Sequence, residues 1–217
     1  MTRFVFPPNN PASLPVVGTD ERFPVSRVFC VGRNYAAHVR EMGGAPDQSE
    51  PVVFTKSAAS IVQSGASIPY PANTQDMQYE VELVAAIGPN GVYGYGVGID
   101  LTRRDLQGAA KRAGQPWDRA KNFPMSAPCS AITPVTDCDV SGARIVLRKN
   151  GEIVQAAKLS DMIWSVAEII AHLSGDMGLG SGDLVFTGTP EGVGPVVAGD
   201  ELEGGIEGLA PIRVRIV

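Results

Sequence analysis

Apolar positions along the chain fall in short runs broken by frequent glycine and proline, which argues for many turns and short strands. VSRVFCVG reads as an apolar strand closed by Gly32. Asn34 follows in N-cap position for a two-turn helix, YAAHVREM, ended by Gly43-Gly44. PVVFTKS is a further strand, and YEVELVAAIG another, stopped by Gly88 and Pro89. YGYGVGID is extended and glycine-rich. Thr102 then stands as N-cap of a helix over 103–113, with Asp105 in capping-box spacing and Leu106, Ala109, Ala110 and Ala113 as its apolar stripe before Gly114. ARIVLRKNGEIVQ reads as a hairpin turning at Lys149-Asn150-Gly151. Ser165 and Glu168 form a second capping box, and Val166, Ile169, Ile170 and Leu173 follow at core-facing spacing, with His172 closing that helix as a structural residue near its dipole. DLVFTGTP and IRVRIV complete the strands. Short strands with about three helices predict an α+β fold, mainly β.

Composition narrows the class. The 217 residues, 44% of them apolar, suit one sizeable domain, and 25 glycines and 17 prolines suit many turns. The division expected is a Pro-rich lead-in over 1–24, extended across a catalytic domain over 25–217. A net charge of −5 argues against a nucleic-acid partner. No apolar stretch approaches the ~20 residues needed to span a bilayer, and the start, MTRFVFPPNNPASLP, lacks the apolar core of a secretory leader. Cys30, Cys129 and Cys138 are odd in number and have no CxxC spacing, so free thiols and no zinc site are expected. A soluble cytoplasmic protein without a membrane partner fits all of this.

YEVEL carries the first chemistry. Side chains alternate along a strand, so Glu80 and Glu82 share a face. About 7 Å apart at an effective dielectric near 20, they repel by about 2 kcal/mol. A solvated sheet edge would tolerate that. Val84, Ala86 and Gly88 continue the same face, however, and their small apolar side chains set the glutamates at the rim of something buried. Asp100 is a third acid, either capping the following helix as an Asx turn or joining the pair. Carboxylates without histidine suit a hard cation such as Mg²⁺ or Mn²⁺. His38 and Glu41, three apart on the short helix, are either a surface pair or a general base with its orienting carboxylate. An isolated helix that short is marginal, so tertiary contacts or a ligand must hold it. TGTPEGVG lacks the Gly-Lys-Ser/Thr ending of a phosphate loop, and GYGVG is no dinucleotide fingerprint. The Gly-rich turn better suits close approach to a small anion, with the Thr187 and Thr189 hydroxyls and backbone N–H groups as donors.

VGRNYAAHVREMG, FTKS, YEVELVAAIG, GVGIDLTRRDLQ, KNF and GDLVFTGTPEGVGPV occur in this order over nearly the whole chain. In combination they resemble the fumarylacetoacetate hydrolase family. That resemblance implies a β-roll with flanking helices, a short lid helix carrying His38 and Glu41, and a homodimer. It implies a divalent metal, Mg²⁺ or Mn²⁺, on Glu80, Glu82 and Asp100. It further implies a small diketo acid substrate lined by Arg33, Arg104, Gln107, Lys121 and Thr189, with His38, Glu41 and Lys121 as the catalytic groups. Taken without it, Lys121 reads as a solvated lysine and the arginines as a charged helix face. The implied reaction is hydrolysis of the C–C bond of a 1,3-diketo acid, with fumarylpyruvate as the leading substrate, in aromatic-acid breakdown. Acylpyruvate hydrolysis or oxaloacetate decarboxylation on the same scaffold is the alternative; a catabolic isomerase or decarboxylase ranks below it. A non-catalytic metal-binding module ranks last, since a binder needs no base. One departure is the connection PNGV between Gly88 and Tyr93, where members commonly carry a longer insert; either a tight turn closes it or residues are missing from the sequence there.

Overall fold

The computed structural model describes residues 3–46 and 50–217. Its largest sheet runs, in spatial order, Val52–Lys56, Val28–Gly32, Leu184–Phe186, Val81–Gly88, Gly91–Ile99, Ala127–Cys129 and Ile61–Gln63, with Thr133–Pro134 also paired to Gly91–Ile99. A second sheet runs Glu152–Lys158, Arg144–Lys149, Glu201–Ile206, Ile212–Ile216 and Ser67–Ile68. The two sheets meet through Val81, Leu83, Val97 and Ile99 on one side and Ile145, Leu147, Leu202, Ile212 and Val214 on the other. Among the described residues four helices flank them: α1 (Ala36–Glu41), α2 (Arg104–Ala113), α3 (Asp118–Lys121) and α4 (Val166–Met177). The expected α+β, mainly β architecture is what forms.

Burial explains the reading of individual strands. Val81–Gly88 is buried on both faces. Ala85 and Ile87 pack under Ile169 and Leu173 of α4, while Val84 and Ala86 face Leu14, Val16 and Phe23. That double cover is why the run is almost uninterruptedly apolar. The small residues beyond the two glutamates therefore enter a core cluster, as the pattern predicts. The lead-in supplies part of that cluster, because Ser13–Pro15 and Arg22–Pro24 fold as a small antiparallel hairpin with Leu14 and Phe23 turned inward. Gly98 answers the glycine-rich pattern of the next strand: a Cβ there would lie 2.4 Å from the Phe186 ring. PNGV closes as a two-residue turn, with Gly88 opposite Gly91. The 145–158 hairpin turns at Asn150 and Gly151, both with positive φ, as a type I′ turn requires.

Five local expectations need correction. YEVELVAAIG is not one strand: Met77–Tyr79 pairs in a separate small sheet with Thr102–Arg103 and Gly194–Pro195, and the strand is interrupted at Glu80. Asn34 is not the cap of α1, which begins after Tyr35 with no side-chain cap. Its amide instead joins Trp164 N–H and Trp164 and Thr187 carbonyls, three backbone groups that burial would otherwise leave unpaired. Thr102 does not cap α2 either, because its backbone is held in the small sheet, and Asp105 accepts instead from Thr74 and Gln75. The apolar stripe of α2 is not buried; Ala109 and Ala113 are exposed and the helix turns Gln107 inward. α4 runs one turn beyond His172, to Met177, so that residue lies inside the helix rather than at its end. The Ser165–Glu168 capping box forms as expected.

Candidate active site

The strand break at Glu80 positions the site. Glu80 and Glu82 project from either side of Val81, and Asp100 follows the neighbouring strand, its N–H donating to Glu80 O at 2.8 Å. One carboxylate oxygen from each of Glu80, Glu82 and Asp100 lies within 4.8 Å of the others, and all three residues are buried. They line a cavity of about 140 Å³ together with Arg33, His38, Arg104, Gln107, Lys121 and Thr189. Every residue singled out from the sequence for this site except Glu41 and Thr187 lines that one cavity. Glu41 reaches it through His38, Oε2 lying 3.1 Å from His38 Nδ1, and its Oε1 accepts from Gly192 N–H at 2.9 Å. The short helix α1 is thereby tied to the TGTPEGVG loop.

The three carboxylates differ in their company. Lys121 Nζ lies 2.6 Å from each of Glu80 Oε2, Asp100 Oδ2 and Thr102 Oγ1, using all three ammonium protons. Burial disfavours the Lys121 charge, but Asp100 and Glu80 outweigh it and raise its pKa. Burial likewise opposes ionisation of Glu80, yet Lys121, Arg104 and His38 hold its carboxyl below the usual range. Arg104 ion-pairs with Glu80 and also donates to Gln78 and Gln107. Glu82 has no cation in contact among the described residues; its Oε2 accepts only the Gly188 N–H, at 2.8 Å. Burial, with Asp100 and Glu80 beside it, pushes the Glu82 carboxyl well up. Among the described residues, Asp100 Oδ1 accepts no aligned hydrogen bond. Lys56 Nζ is 2.8 Å from it as an ion pair, but that ammonium points at the carbonyls of Leu101, Lys121 and Ser126. An uncompensated Glu82, an orphaned Asp100 oxygen and an all-oxygen donor set fit a hard divalent cation.

This arrangement makes stability depend on pH and metal together. A carboxyl whose pKa is raised by folding favours the folded state below its unfolded pKa, and that contribution is lost as pH rises through the folded value. Metal-free protein should therefore lose stability on this account above the ordinary glutamate range, and a bound cation should restore it. The rise in Tm on adding Mn²⁺, relative to chelator, is expected to grow from pH 5.5 to pH 7.5. Glu80, shifted the opposite way, loses its contribution only at pH below that window.

The TGTP turn departs from expectation. Thr187 is not a ligand donor, because its hydroxyl donates to Leu83 O at 2.9 Å. The Gly188 N–H is likewise committed to Glu82. Gly188 has φ +100°, and a Cβ on it would lie 2.7 Å from Asn34 Cβ, so the turn needs glycine. Of Thr187, Gly188 and Thr189, Thr189 alone lines the cavity.

Lys56 was legible only as a strand-ending lysine in FTKS, yet its side chain is fully buried. It pins the Leu101, Lys121 and Ser126 carbonyls and so sets where Asp100 and Lys121 stand. Lys56→Met should cost about 3–5 kcal/mol, the usual penalty for breaking a buried charge pair. Thermal unfolding would show this as a Tm lower by roughly 10 °C. Trp117, Phe54 and Lys111 also line the cavity, Trp117 stacking on Phe54 at 5.9 Å and beneath Lys111 Nζ at 5.0 Å. Their spacing in the sequence carried no signal that would have joined them.

Residues 27–217 match the family described as fumarylacetoacetate (FAA) hydrolase C-terminal, and the chain belongs to that family. It is 44% identical to the fumarylpyruvate hydrolase of Ralstonia sp., over 81% of this chain and 98% of that one. It is 40% identical to the mitochondrial oxaloacetate tautomerase FAHD1 of Homo sapiens, over 87% and 90%. Among solved structures it resembles the fumarylpyruvate hydrolase of Pseudomonas aeruginosa in complex with Mn²⁺ and pyruvate, with a TM-score of 0.96, 44% identity and 99% of both chains covered. The expected β-roll is thus the fold adopted.

Proposed function

We propose that the protein is a divalent-metal-dependent hydrolase of the C–C bond of 1,3-diketo acids, with fumarylpyruvate as substrate and fumarate and pyruvate as products. The observation that carries this is the convergence of three buried carboxylates, an ion-paired lysine and a carboxylate-oriented histidine in one small cavity. The similarity to two fumarylpyruvate hydrolases, one solved with Mn²⁺ and pyruvate, supports the substrate and the metal.

Glu80, Glu82 and Asp100 would hold the cation. When bound, it supplies Lewis acidity at the pyruvyl oxygens of the substrate. The rest falls to the chain's own groups. Glu41 at His38 Nδ1 leaves the lone pair on Nε2, poised to take a proton from water attacking the distal carbonyl. Lys121 stays protonated, its three protons held by Glu80, Asp100 and Thr102, and its positive charge favours negative charge developing on the substrate. Arg104 and Gln107, joined at 2.7 Å, present one polar face, and Arg33 and Lys111 add positive charge to the cavity wall for the second carboxylate. Phe54 and Trp117 form its apolar side. The bond between the distal carbonyl carbon and the methylene breaks. Water's hydroxyl stays with fumarate, and the methylene takes a proton to become the methyl of pyruvate.

The same reading includes a cytoplasmic homodimer, Mg²⁺ as the resident ion, and a place in aromatic-acid breakdown, all carried by the resemblance of the chain's motifs to the family. No helix among the described residues is long and apolar enough to cross a membrane. Assay of fumarylpyruvate, acetylpyruvate and oxaloacetate with Mg²⁺ or Mn²⁺ tests the function. Fumarylpyruvate should give the highest kcat/KM; faster enol–keto conversion of oxaloacetate with no cleavage of fumarylpyruvate would shift the assignment to the tautomerase relatives.

A further inference from the structure

We propose that Gln155 is a positioning residue that sets the direction of the Thr189 hydroxyl, making it a hydrogen-bond donor to an anionic substrate oxygen in the cavity. This rests on the reading above, in that the ligand is a small carboxylic acid. Gln155 lies on the Glu152–Lys158 strand of the second sheet and is 1% exposed, whereas Ile153, two residues earlier, is 54% exposed. Hydrophobic burial alone would select the reverse. The backbone explains how the exchange is made. Leu147 faces Gln155 and Arg148 faces Ile153, so Val154 is an extra residue in the strand. Such a bulge bends the strand and re-aims the neighbouring side chain, here toward the TGTP turn.

The amide that arrives there is satisfied at both ends. Oε1 accepts from Val81 N–H at 3.0 Å. Nε2 donates to Pro190 O at 2.9 Å and to Thr189 Oγ1 at 2.9 Å, with Glu191 O at 3.5 Å. Its orientation follows from its partners, since a backbone N–H can only donate and a backbone carbonyl can only accept. A flipped amide would set donor against donor at Val81 and acceptor against acceptor at Pro190. Nε2 therefore faces Thr189, and Thr189 Oγ1 must accept. Its own proton then points away from Gln155. Thr189 lines the cavity beside Glu80, Glu82 and Lys121, and among the described residues its hydroxyl donates to no protein oxygen. The proton is left for an oxygen of the ligand. Because the same amide holds Val81, which separates Glu80 from Glu82, it also fixes the hydroxyl relative to the carboxylate group.

A double-mutant cycle on the Mn²⁺-loaded protein tests this, read as KM and kcat for fumarylpyruvate and as the Kd of pyruvate by calorimetry. Thr189→Val should raise KM and the pyruvate Kd roughly tenfold, the worth of one hydrogen bond to a charged group, with a smaller change in kcat. Gln155→Glu keeps the acceptor for Val81 but draws the Thr189 proton onto itself, so it should weaken pyruvate at least as much. The double variant should be no weaker than Gln155→Glu alone. Multiplying losses would show that Gln155 acts independently of Thr189 and would overturn the proposal. If Gln155→Glu fails to fold, Thr189→Val in the otherwise unchanged chain decides: an unaltered pyruvate Kd refutes the donor role. Failure of the parent protein to cleave fumarylpyruvate would remove the substrate reading alone, because pyruvate affinity still reports the cycle.

Discussion

Replacing His38 by alanine is expected to lower kcat on fumarylpyruvate by roughly 10²–10⁴, the usual contribution of a positioned general base, while the Mn²⁺ affinity stays close to that of the parent. The expectation follows from two separations in the structure. His38 belongs to α1, whereas the three carboxylates belong to the start of the Val81–Gly88 strand and the end of the Gly91–Ile99 strand. The imidazole is fixed by Glu41 and Glu41 by Gly192, so its removal leaves the carboxylate contacts with Lys121, Arg104 and Gly188 in place. Steady-state kinetics with a metal titration checks both halves. Undiminished turnover would remove the histidine from the role of base, and a lost metal response would mean that α1 supports the metal group directly.

Glu82→Gln should have the larger effect on the metal and the opposite effect on the fold. Glu82 is the carboxylate without a cation in contact, and burial disfavours its charge. An amide at this position can still accept the Gly188 N–H, so the turn has no reason to move. What is lost is one negative charge and a strong oxygen donor. The Mn²⁺ Kd should rise by more than the roughly 10–100-fold that follows loss of an outer-shell partner. Metal-free protein, relieved of a disfavoured charge at neutral pH, should melt a few degrees higher. Stability gained as function is lost is the pattern expected of a site held under electrostatic strain. Isothermal titration and thermal unfolding in chelator measure the two effects; a lower Tm in chelator would show that the Glu82 charge supports the fold.

The parts of this site that could be read in advance are those whose logic is local. The period of a strand put Glu80 and Glu82 on one face, and the small apolar residues that follow marked that face as covered. The Ser165–Glu168 box announced α4 because a cap and its partner lie within one turn. Positions whose partners are distant in the chain were misread by the same local logic. Asn34 and Thr102 have the residue types of caps, yet Asn34 bridges to residues more than a hundred positions away and Thr102 receives Lys121. The break at Glu80 could not be seen, since it arises where the chain leaves one sheet for another. Lys56 and Gln155 are polar residues in largely apolar strands, and what they hold lies 34 to 74 positions off in sequence. The resemblance of VGRNYAAHVREMG, DLTRRDLQ and TGTPEGVG to one family joined what spacing left apart.

Incubation of fumarylpyruvate with the Mn²⁺-loaded protein in ¹⁸O water, followed by mass analysis of the products, tests the central claim most directly. The account predicts metal-dependent release of pyruvate together with fumarate carrying one ¹⁸O in the carboxylate formed from the distal carbonyl, with both products absent in chelator. Cleavage that persists in chelator, or interconversion of keto and enol forms without any fumarate, would contradict it.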